Sequence, residues 1–317
     1  MATKTQTQQP EKKILSVQEK GFWSRLAHRR IRLLRLSVQI SSFIILNAGI
    51  FGVARTFIPL PISQPTGAPF SIVWGGFEAI EYALTNSILP FFALGVFMIS
   101  AVLVGRAGCG WVCPMGLYQR SVGAVPTKKA KISKPDNKDL NGIGGFLMAL
   151  FLLLAFGIGF MNLTNLGSAF MGMPFTPFDP SATLFGSIFY YSNFGNSPPG
   201  VGMGFIGDVF SLYSFMFIFR ILIFFLITLL VMYVPQGYCR WFCPTGALMG
   251  YFSKNSILGI SRDPVRCTNC GDCETACPMG VPILDYSHKK VTDSMCTNCG
   301  DCIDACNYNA INFSLNF

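Results

Sequence analysis

Twelve cysteines constrain this chain more than any other feature, because all of them fall into four short motifs. Eight lie near the C-terminus in two runs with the spacing C-x2-C-x2-C-x3-C, and the other four form two C-x3-C-P motifs. No cysteine is left over for a disulfide or for an isolated buried thiol. A pattern this regular predicts a fold organised around metal or redox chemistry at thiolate sulfur.

The composition indicates a membrane protein. Apolar residues make up 51% of the 317 residues, charged residues only 12%, and the mean hydropathy is +0.46. An ordinary soluble domain carries about twice that share of charge. The net charge of +9 is concentrated beside the apolar segments, with nine Lys or Arg among residues 1–36. We therefore predict contact with anionic membrane lipid and no binding of nucleic acid.

Four apolar segments are long enough to cross the roughly 30 Å hydrocarbon core of a bilayer, which takes about 20 helical residues. They are residues 36–57, 86–105, 142–163 and 212–234. A fifth apolar stretch at 178–192 is short and contains Asp179 and Pro180. We expect that stretch to be re-entrant or interfacial.

The distribution of Lys and Arg predicts the orientation of these spans. Residues 56–105 and 142–219 contain neither, so the loops within them are expected to face outward. The connection after the second span and the C-terminal tail are rich in both. We therefore predict a multi-pass protein of the cell membrane with both termini in the cytoplasm. The predicted domains are a basic cytoplasmic segment at 1–35, a membrane domain at 36–250 and a cytoplasmic cysteine-rich domain at 251–317.

The two C-x3-C-P motifs, which we term elbows, belong to an internal repeat. Five residues of the first elbow recur at a constant offset in the second, and each elbow directly follows a predicted span. The matched residues are Cys109, Trp111, Cys113, Pro114 and Gly116, and then Cys239, Trp241, Cys243, Pro244 and Gly246. The predicted fold is mainly α, with two tandem transmembrane hairpins forming a four-helix membrane domain. Each tryptophan is expected to be an anchor at the membrane interface.

The tail from Arg262 onward resembles the bacterial two-cluster ferredoxins. The sequence Cys-Thr-Asn-Cys-Gly-Asp-Cys occurs twice in it, at 267–273 and at 296–302. In that family each 4Fe-4S cluster takes three cysteines from one run and the last cysteine from the other. The resemblance implies one cluster at Cys267, Cys270, Cys273 and Cys306, and a second at Cys296, Cys299, Cys302 and Cys277. It also implies a small α+β domain.

Two other interpretations of the tail are weaker. A zinc module usually separates two C-x2-C pairs by a longer loop, whereas this tail has compressed triplets. Disulfides are disfavoured because thiols in the cytoplasm stay reduced. One departure from the ferredoxin pattern is Asn307, which follows Cys306 where the family has proline. We expect this change to alter the shape near the first cluster without abolishing binding.

The elbow cysteines Cys109, Cys113, Cys239 and Cys243 allow three interpretations. They form a metal site or a further iron–sulfur centre, a redox-active dithiol pair, or purely structural packing. Proline after the second cysteine favours an extended backbone there, so each motif is expected to mark a helix end. The repeat would then bring four thiols together at the cytoplasmic edge of the membrane.

Across nearly the whole chain, the order of four spans, two elbows and a two-cluster tail resembles the membrane-bound iron–sulfur proteins of the NapH, NosR and CcoG type. The large periplasmic flavin domain of the NosR type and the extra C-terminal domain of the CcoG type have no counterpart in this sequence. The chain is therefore most similar to the minimal, NapH-like plan.

The resemblance implies an electron-transfer component of a quinol-oxidising complex. Electrons would pass between a quinone pool or a membrane redox partner and the two clusters, and other redox subunits are expected partners. The alternative, from the CcoG type, is a copper-reducing assembly factor whose elbow thiols bind the metal. The two histidines, His28 and His288, lie outside the predicted spans, which excludes a bis-histidine transmembrane haem. No dinucleotide-binding or P-loop motif is present.

Overall fold

The computed structural model describes residues 30–51, 58–65, 71–126, 130, 132–164, 173–188, 212–286, 290–291 and 293–315. Most of the predicted basic segment, residues 1–29, and the end of the first predicted span, residues 52–57, lie outside this range. The chain is mainly helical, as predicted, and a small α+β domain closes it.

Most of the described elements are α-helices, and in each elbow a short break separates two of them. They are α1 (Arg30–Leu46), α2 (Gly76–Thr85), α3 (Phe91–Val104), α4 (Ala107–Trp111), α5 (Pro114–Gly123), α6 (Lys134–Leu163), α7 (Leu212–Tyr233), α8 (Gly237–Trp241), α9 (Pro244–Ser253), α10 (Asp272–Ala276) and α11 (Asp301–Ala305). The strands are β1 (Pro59–Leu60), β2 (Trp74–Gly75), β3 (Leu258–Arg262) and β4 (Ile311–Leu315).

One helix in the described part of the chain, α6, is both long and apolar enough to cross a membrane. It has 30 residues and a mean hydropathy of 2.4 in its most apolar window. Helix α3 and the segment Ile218–Tyr233 of α7 are apolar but shorter. Helix α1 starts before its predicted span and ends at Leu46, where a 3-10 turn follows at Ala48–Phe51. The four-span arrangement therefore stays a prediction.

Helices α2 and α6 pack so closely that the contact depends on a glycine. A Cβ atom added to Gly159 would lie 2.1 Å from the carbonyl oxygen of Leu84, closer than real atoms approach. Two hydrogen bonds hold the helices at this spacing. The Ser87 hydroxyl donates to the Gly159 carbonyl oxygen at 2.7 Å, and the Asn162 amide donates to that of Thr85 at 2.8 Å.

We expect Gly159→Ala to destabilise the protein by about 1–3 kcal/mol, because the added methyl group forces the two helices apart. Gly157 offers a matched control on the same helix, since a Cβ atom there would meet nothing within 4 Å. Thermal unfolding in detergent measures the difference between the two variants. Equal midpoints for Gly157→Ala and Gly159→Ala would contradict the packing argument.

Two loops within the segments that were predicted to face outward fold into the helical domain and reach the elbows, and the second holds the stretch that was expected to be re-entrant or interfacial. In the first, β1 pairs in parallel with β2, and the Cys113 thiol lies 3.8 Å from the Ser63 carbonyl oxygen. The second contains a 3-10 turn at Thr176–Phe178 and a π-helical segment at Ala182–Ile188. Its Asp179 carboxylate accepts a hydrogen bond from the Tyr238 hydroxyl at 3.0 Å.

The C-terminal domain is built on an antiparallel pair of strands, β3 and β4, in which Ile260 faces Phe313. The short helices α10 and α11 pack against each other beside this pair. A buried apolar core that includes Ile260, Met279 and Val281 lies between the strands and the cysteine-bearing loops. Helix α11 also packs against α1, so the domain is docked on the helical part of the chain.

Candidate cysteine centres

The two cysteine runs adopt the same local conformation. Asn269 and Asn298 have φ values of 53° and 47°, and Gly271 and Gly300 have φ values of 84° and 80°. Asparagine and glycine are the residues that tolerate this left-handed region best. The repeated sequence therefore folds into two equivalent tight turns, each followed by a five-residue helix.

These turns make two cavities, and each is lined by four cysteines. The first cavity, which we term the inner site, is lined by Cys277, Cys296, Cys299 and Cys302. The second, the outer site, is lined by Cys267, Cys270, Cys273 and Cys306. The two groups of four are those that the ferredoxin resemblance implied, with Cys277 and Cys306 exchanged between the runs.

The chemistry of both donor sets fits a 4Fe-4S cluster. Within the described ranges, no group of three or more His, Cys, Asp or Glu side chains is close enough to hold a single metal ion. A cluster spreads its ligands more widely, because each thiolate binds a different iron at the corner of a cube. Burial raises the pKa of Cys277 and Cys296 to about 12, so these thiols stay neutral until a metal displaces their protons.

The inner and outer sites differ in their exposure. At the inner site the Cys299 and Cys302 residues are only 7% and 4% exposed, whereas Cys270 of the outer site is open to solvent. The inner site faces the elbows, since Gly110 lies so close to Thr297 that a Cβ atom would be 2.7 Å from its carbonyl oxygen. The change of shape that was expected after Cys306, where proline is missing, does not occur in its backbone, because its φ and ψ of −82° and 106° are close to the −73° and 114° of Cys277.

The two elbows are nearly identical in structure, which confirms the predicted helix ends. Each consists of a five-residue helix, a break and a ten-residue helix with proline in its first turn. Cys113 and Cys243 occupy the break with an extended backbone, as expected before proline. The matched glycines Gly116 and Gly246 are needed because Cβ atoms there would lie 3.0 and 3.3 Å from the carbonyl oxygens of Cys109 and Cys239.

The fold brings the four elbow thiols together. All four residues are at most 9% exposed, and electrostatic interactions connect their thiols across the repeat. The Gln119 amide of the first elbow donates to the Cys239 sulfur of the second at 2.9 Å. Burial raises the pKa of Cys113 and Cys243 to about 12, so these two thiols are neutral unless a metal binds them.

The elbow tryptophans are not interfacial anchors, so that expectation was wrong. The Trp111 indole N–H donates to the Asn298 carbonyl oxygen at 3.0 Å, and that of Trp241 donates to Asn137 Oδ1 at 3.1 Å. Asn137 in turn donates to the carbonyl oxygens of Met279 and Gly280, beside Cys277. Both indoles are held by polar partners at the inner site, because the C-terminal domain covers them.

Part of the predicted lipid-facing basic segment is also turned inward. Arg35 is 2% exposed and donates to the Cys299 carbonyl oxygen at 2.6 Å and to the Asp301 carboxylate at 2.8 Å. Arg120 approaches the same carboxylate at 3.3 Å, and Arg32 at 3.7 Å. The Arg35 guanidinium is therefore paired with a buried carboxylate of the C-terminal domain instead of facing lipid.

Sequence reasoning missed Asn137 although a signal for it was present. The predicted span began at residue 142, but α6 begins at Lys134, so two further helical turns reach the C-terminal domain. Ser133 caps this helix by accepting from the Asp136 N–H at 3.4 Å, and proline lies in its first turn. Serine followed by such a proline is a typical helix start.

Comparison with protein families supports the binding of 4Fe-4S clusters by this chain. A 4Fe-4S dicluster domain matches residues 266–311, and a second model of that description matches 237–281. A 4Fe-4S binding domain matches residues 87–133, which include the first elbow. No solved structure matches the chain.

Several curated proteins are similar to the chain. The ferredoxin-type protein NapH of Haemophilus influenzae is 26% identical over 282 residues, which are 86% of this chain and 80% of that protein. The methylamine utilization ferredoxin-type protein MauN of Methylorubrum extorquens is 27% identical over 223 residues, 69% of this chain and 61% of MauN. YccM of Escherichia coli, a candidate electron transport protein, is 24% identical over 70% of this chain, but only 57% of YccM is covered. The chain is thus similar to NapH and other 4Fe-4S ferredoxin-type proteins, as its cysteine motifs predicted.

Proposed function

We propose that this protein passes electrons between a quinone pool, or a membrane redox partner, and two 4Fe-4S clusters on the cytoplasmic side of the cell membrane. The observation that carries the proposal is the pair of cavities, each lined by the four cysteines of one predicted cluster. An iron–sulfur electron-transfer role agrees with the ferredoxin-type relatives. One-electron oxidation and reduction is the chemistry that a cluster supplies when it is bound.

In the proposed arrangement α1, α3, α6 and α7 cross the membrane. Their apolar side chains support this, because many point outward instead of packing inside the protein. Phe91, Ile99, Leu153 and Phe156 are all more than 60% exposed. Soluble monomers rarely expose so much continuous apolar surface, whereas lipid covers it in a membrane. The basic loop between α5 and α6 supports placing both elbows and both termini in the cytoplasm.

We assign the elbow thiols to a further iron–sulfur centre at the membrane edge. Two findings support this choice among the three interpretations. The four thiols converge across the repeat, and matches to 4Fe-4S domains include both elbows. The chain's own contribution is to bury these sulfurs and to direct hydrogen bonds at them, as Gln119 does at Cys239. Both factors influence the reduction potential of a bound cluster.

Quinol oxidation also requires groups that take up protons near the redox centre. Asp179, Ser181 and Tyr238 form a buried hydrogen-bonded chain that ends at the second elbow. Asp179 is 1% exposed and Ser181 is fully buried. This chain supports a proton-accepting role beside the elbow thiols.

Reduction by a quinol tests the proposed function. The full chain, purified anaerobically in detergent, is mixed with a short-chain ubiquinol, and cluster reduction is followed by EPR. A quinol releases two electrons and two protons, so we expect stoichiometric cluster reduction together with proton release. Cys109→Ser with Cys243→Ser should slow this reduction at least tenfold while dithionite still reduces the tail clusters. Copper binding at the elbows without quinol oxidation would favour the assembly-factor alternative.

A further inference from the structure

Two arginines, Arg106 and Arg240, lie buried between the elbows and the inner site. They are 2% and 7% exposed. The sequence suggests only that they belong to the basic cytoplasmic side of the chain. In the structure both guanidinium groups point into the contact between the helical domain and the C-terminal domain.

Arg106 connects the elbow thiols to the loop that bears Cys296. Its guanidinium donates to the Ser294 carbonyl oxygen at 2.8 Å and to the Cys239 carbonyl oxygen at 3.1 Å. It also hydrogen bonds to the Cys109 thiol. The remaining donor, Nε, is buried and has no acceptor among the residues that the structure describes.

Arg240 makes the equivalent link from the second elbow to the loop that bears Cys277. Its Nε donates to Asn137 Oδ1, and its guanidinium lies against the backbone of Gly280. A Cβ atom on Gly280 would lie 1.8 Å from Arg240 Nη2. Gly280 also has a φ of 65°, so this position strongly favours glycine.

The two arginines occupy different positions of the repeat. The counterpart of Arg106 in the second elbow is Gln236, and the counterpart of Arg240 in the first elbow is Gly110. Gly110 has no room for a side chain, because a Cβ atom there would lie 2.7 Å from the Thr297 carbonyl oxygen. The C-terminal domain contacts the two similar elbows in different ways. The first elbow therefore contributes Arg106 and the second contributes Arg240, although these two positions do not correspond in the repeat.

Neither guanidinium has a carboxylate partner within salt-bridge distance among the described residues. The ion pairs at the domain contact instead use Arg32, Arg35 and Arg120, which share Asp301. Burying a cation without an anion costs far more than a few hydrogen bonds return. A cluster bound by four thiolates is an anion, and the inner site lies beside both arginines. Electrostatic interactions of Arg106 with Cys296 and of Arg240 with Cys277 indicate this proximity.

We propose that Arg106 and Arg240 are charge-compensating residues of the inner site, which raise the reduction potential of the cluster held there. This inference rests on the proposed cluster ligation, but not on quinol as the donor. One-electron reduction adds negative charge to a cluster, so nearby fixed positive charge favours the reduced state. The same charges offset the burial of the inner site, which by itself disfavours the more highly charged state.

An EPR-monitored redox titration with dithionite and mediators tests the proposal on the full chain. We expect Arg106→Gln to shift the midpoint potential of the inner-site cluster downward, while the iron content and the potential of the outer-site cluster stay unchanged. Arg106→Lys, which keeps the charge, should shift it less, and Arg240→Gln should shift the same centre. Cys302→Ala and Cys270→Ala identify which signal belongs to the inner and which to the outer site.

A matched control is available at the outer site, where Arg262 donates to the Cys267 sulfur at 3.5 Å. Arg262→Gln should shift only the other centre. Equal shifts of the inner-site and outer-site clusters in Arg106→Gln, or no shift of the inner-site cluster, would overturn the proposal while leaving cluster binding intact. Failure of ubiquinol to reduce the wild-type protein would instead count against the proposed function alone, because the dithionite titration measures the midpoint potentials without a quinol.

Discussion

Replacing Cys302 with alanine is expected to remove about half of the protein's tail-cluster iron, because each of the two tail clusters depends on four cysteines. Cys302 is buried in the core of the C-terminal domain and lines the inner site. Its loss should also weaken docking of this domain, because the loops around the inner site carry the contacts with the elbows. Iron and acid-labile sulfide analysis measures the first effect, and limited proteolysis measures the second.

The lining of the two cavities also predicts which cysteines bind the same cluster. Cys277 stands in the first cysteine run, but it lines the inner site. Cys277→Ala should therefore remove the same EPR signal as Cys302→Ala. Cys306→Ala should remove the same EPR signal as Cys270→Ala, namely that of the exposed outer cluster. Both variants should leave the docking of the C-terminal domain intact. If Cys277→Ala instead removed the signal that Cys270→Ala removes, the assignment of ligands would be wrong.

Asp301→Asn is expected to destabilise the docked structure by about 3–5 kcal/mol, because it leaves the buried guanidinium of Arg35 without its counter-charge. The Asp301 and Arg35 side chains are 7% and 3% exposed. A thermal scan in detergent, combined with proteolysis of the segment between α9 and β3, reports release of the C-terminal domain. Asp285→Ala is the control, because both side chains of the Asp285–Lys134 pair are more than half exposed and solvent screens their attraction.

The effect of Asp301→Asn should depend on pH. Burial raises the pKa of Asp301, but the hydrogen bond from Arg35 and the charges of Arg120, Arg35 and Arg32 outweigh burial and hold the pKa below its usual value. The pair therefore stabilises the fold fully above the pKa of an unfolded aspartate. That stability is lost as pH falls through the lower folded pKa. Wild type and Asp301→Asn should converge in acid, and a constant difference down to low pH would contradict the ion-pair explanation.

Local conformation at the cysteines was readable from residue type. Asparagine and glycine favour the tight turns of the tail because they tolerate positive φ values. Proline after Cys113 and Cys243 favours the helix breaks because it restricts the backbone of the preceding residue. Neither effect depends on distant contacts. The lengths of α1 and α3 were less predictable. Apolar composition alone does not reveal that α1 yields to a 3-10 turn after Leu46, or that α3 begins only after Pro90, five residues beyond the start of its predicted span.

The roles of isolated polar residues depended on the tertiary fold. Trp111 looked like an interfacial anchor and Arg35 like a lipid contact, since each type favours such positions when nothing covers it. Docking of the C-terminal domain gave both of them buried partners. Asp179 lay in a stretch that was expected to be re-entrant or interfacial, and only the tertiary fold brings its carboxylate to Tyr238.

The twelve cysteines by themselves determined the kind of protein, because the spacing of thiols restricts which metal centre a chain can hold and the repeat restricts where the elbows lie. Tertiary structure alone decided which centre is buried and which is exposed. It also placed Arg106 and Arg240 at the inner site from unequal positions of an otherwise matched repeat. The physical reason is that thiol spacing is a local property of the chain, whereas burial and the compensation of charge depend on which surfaces meet when the domains pack.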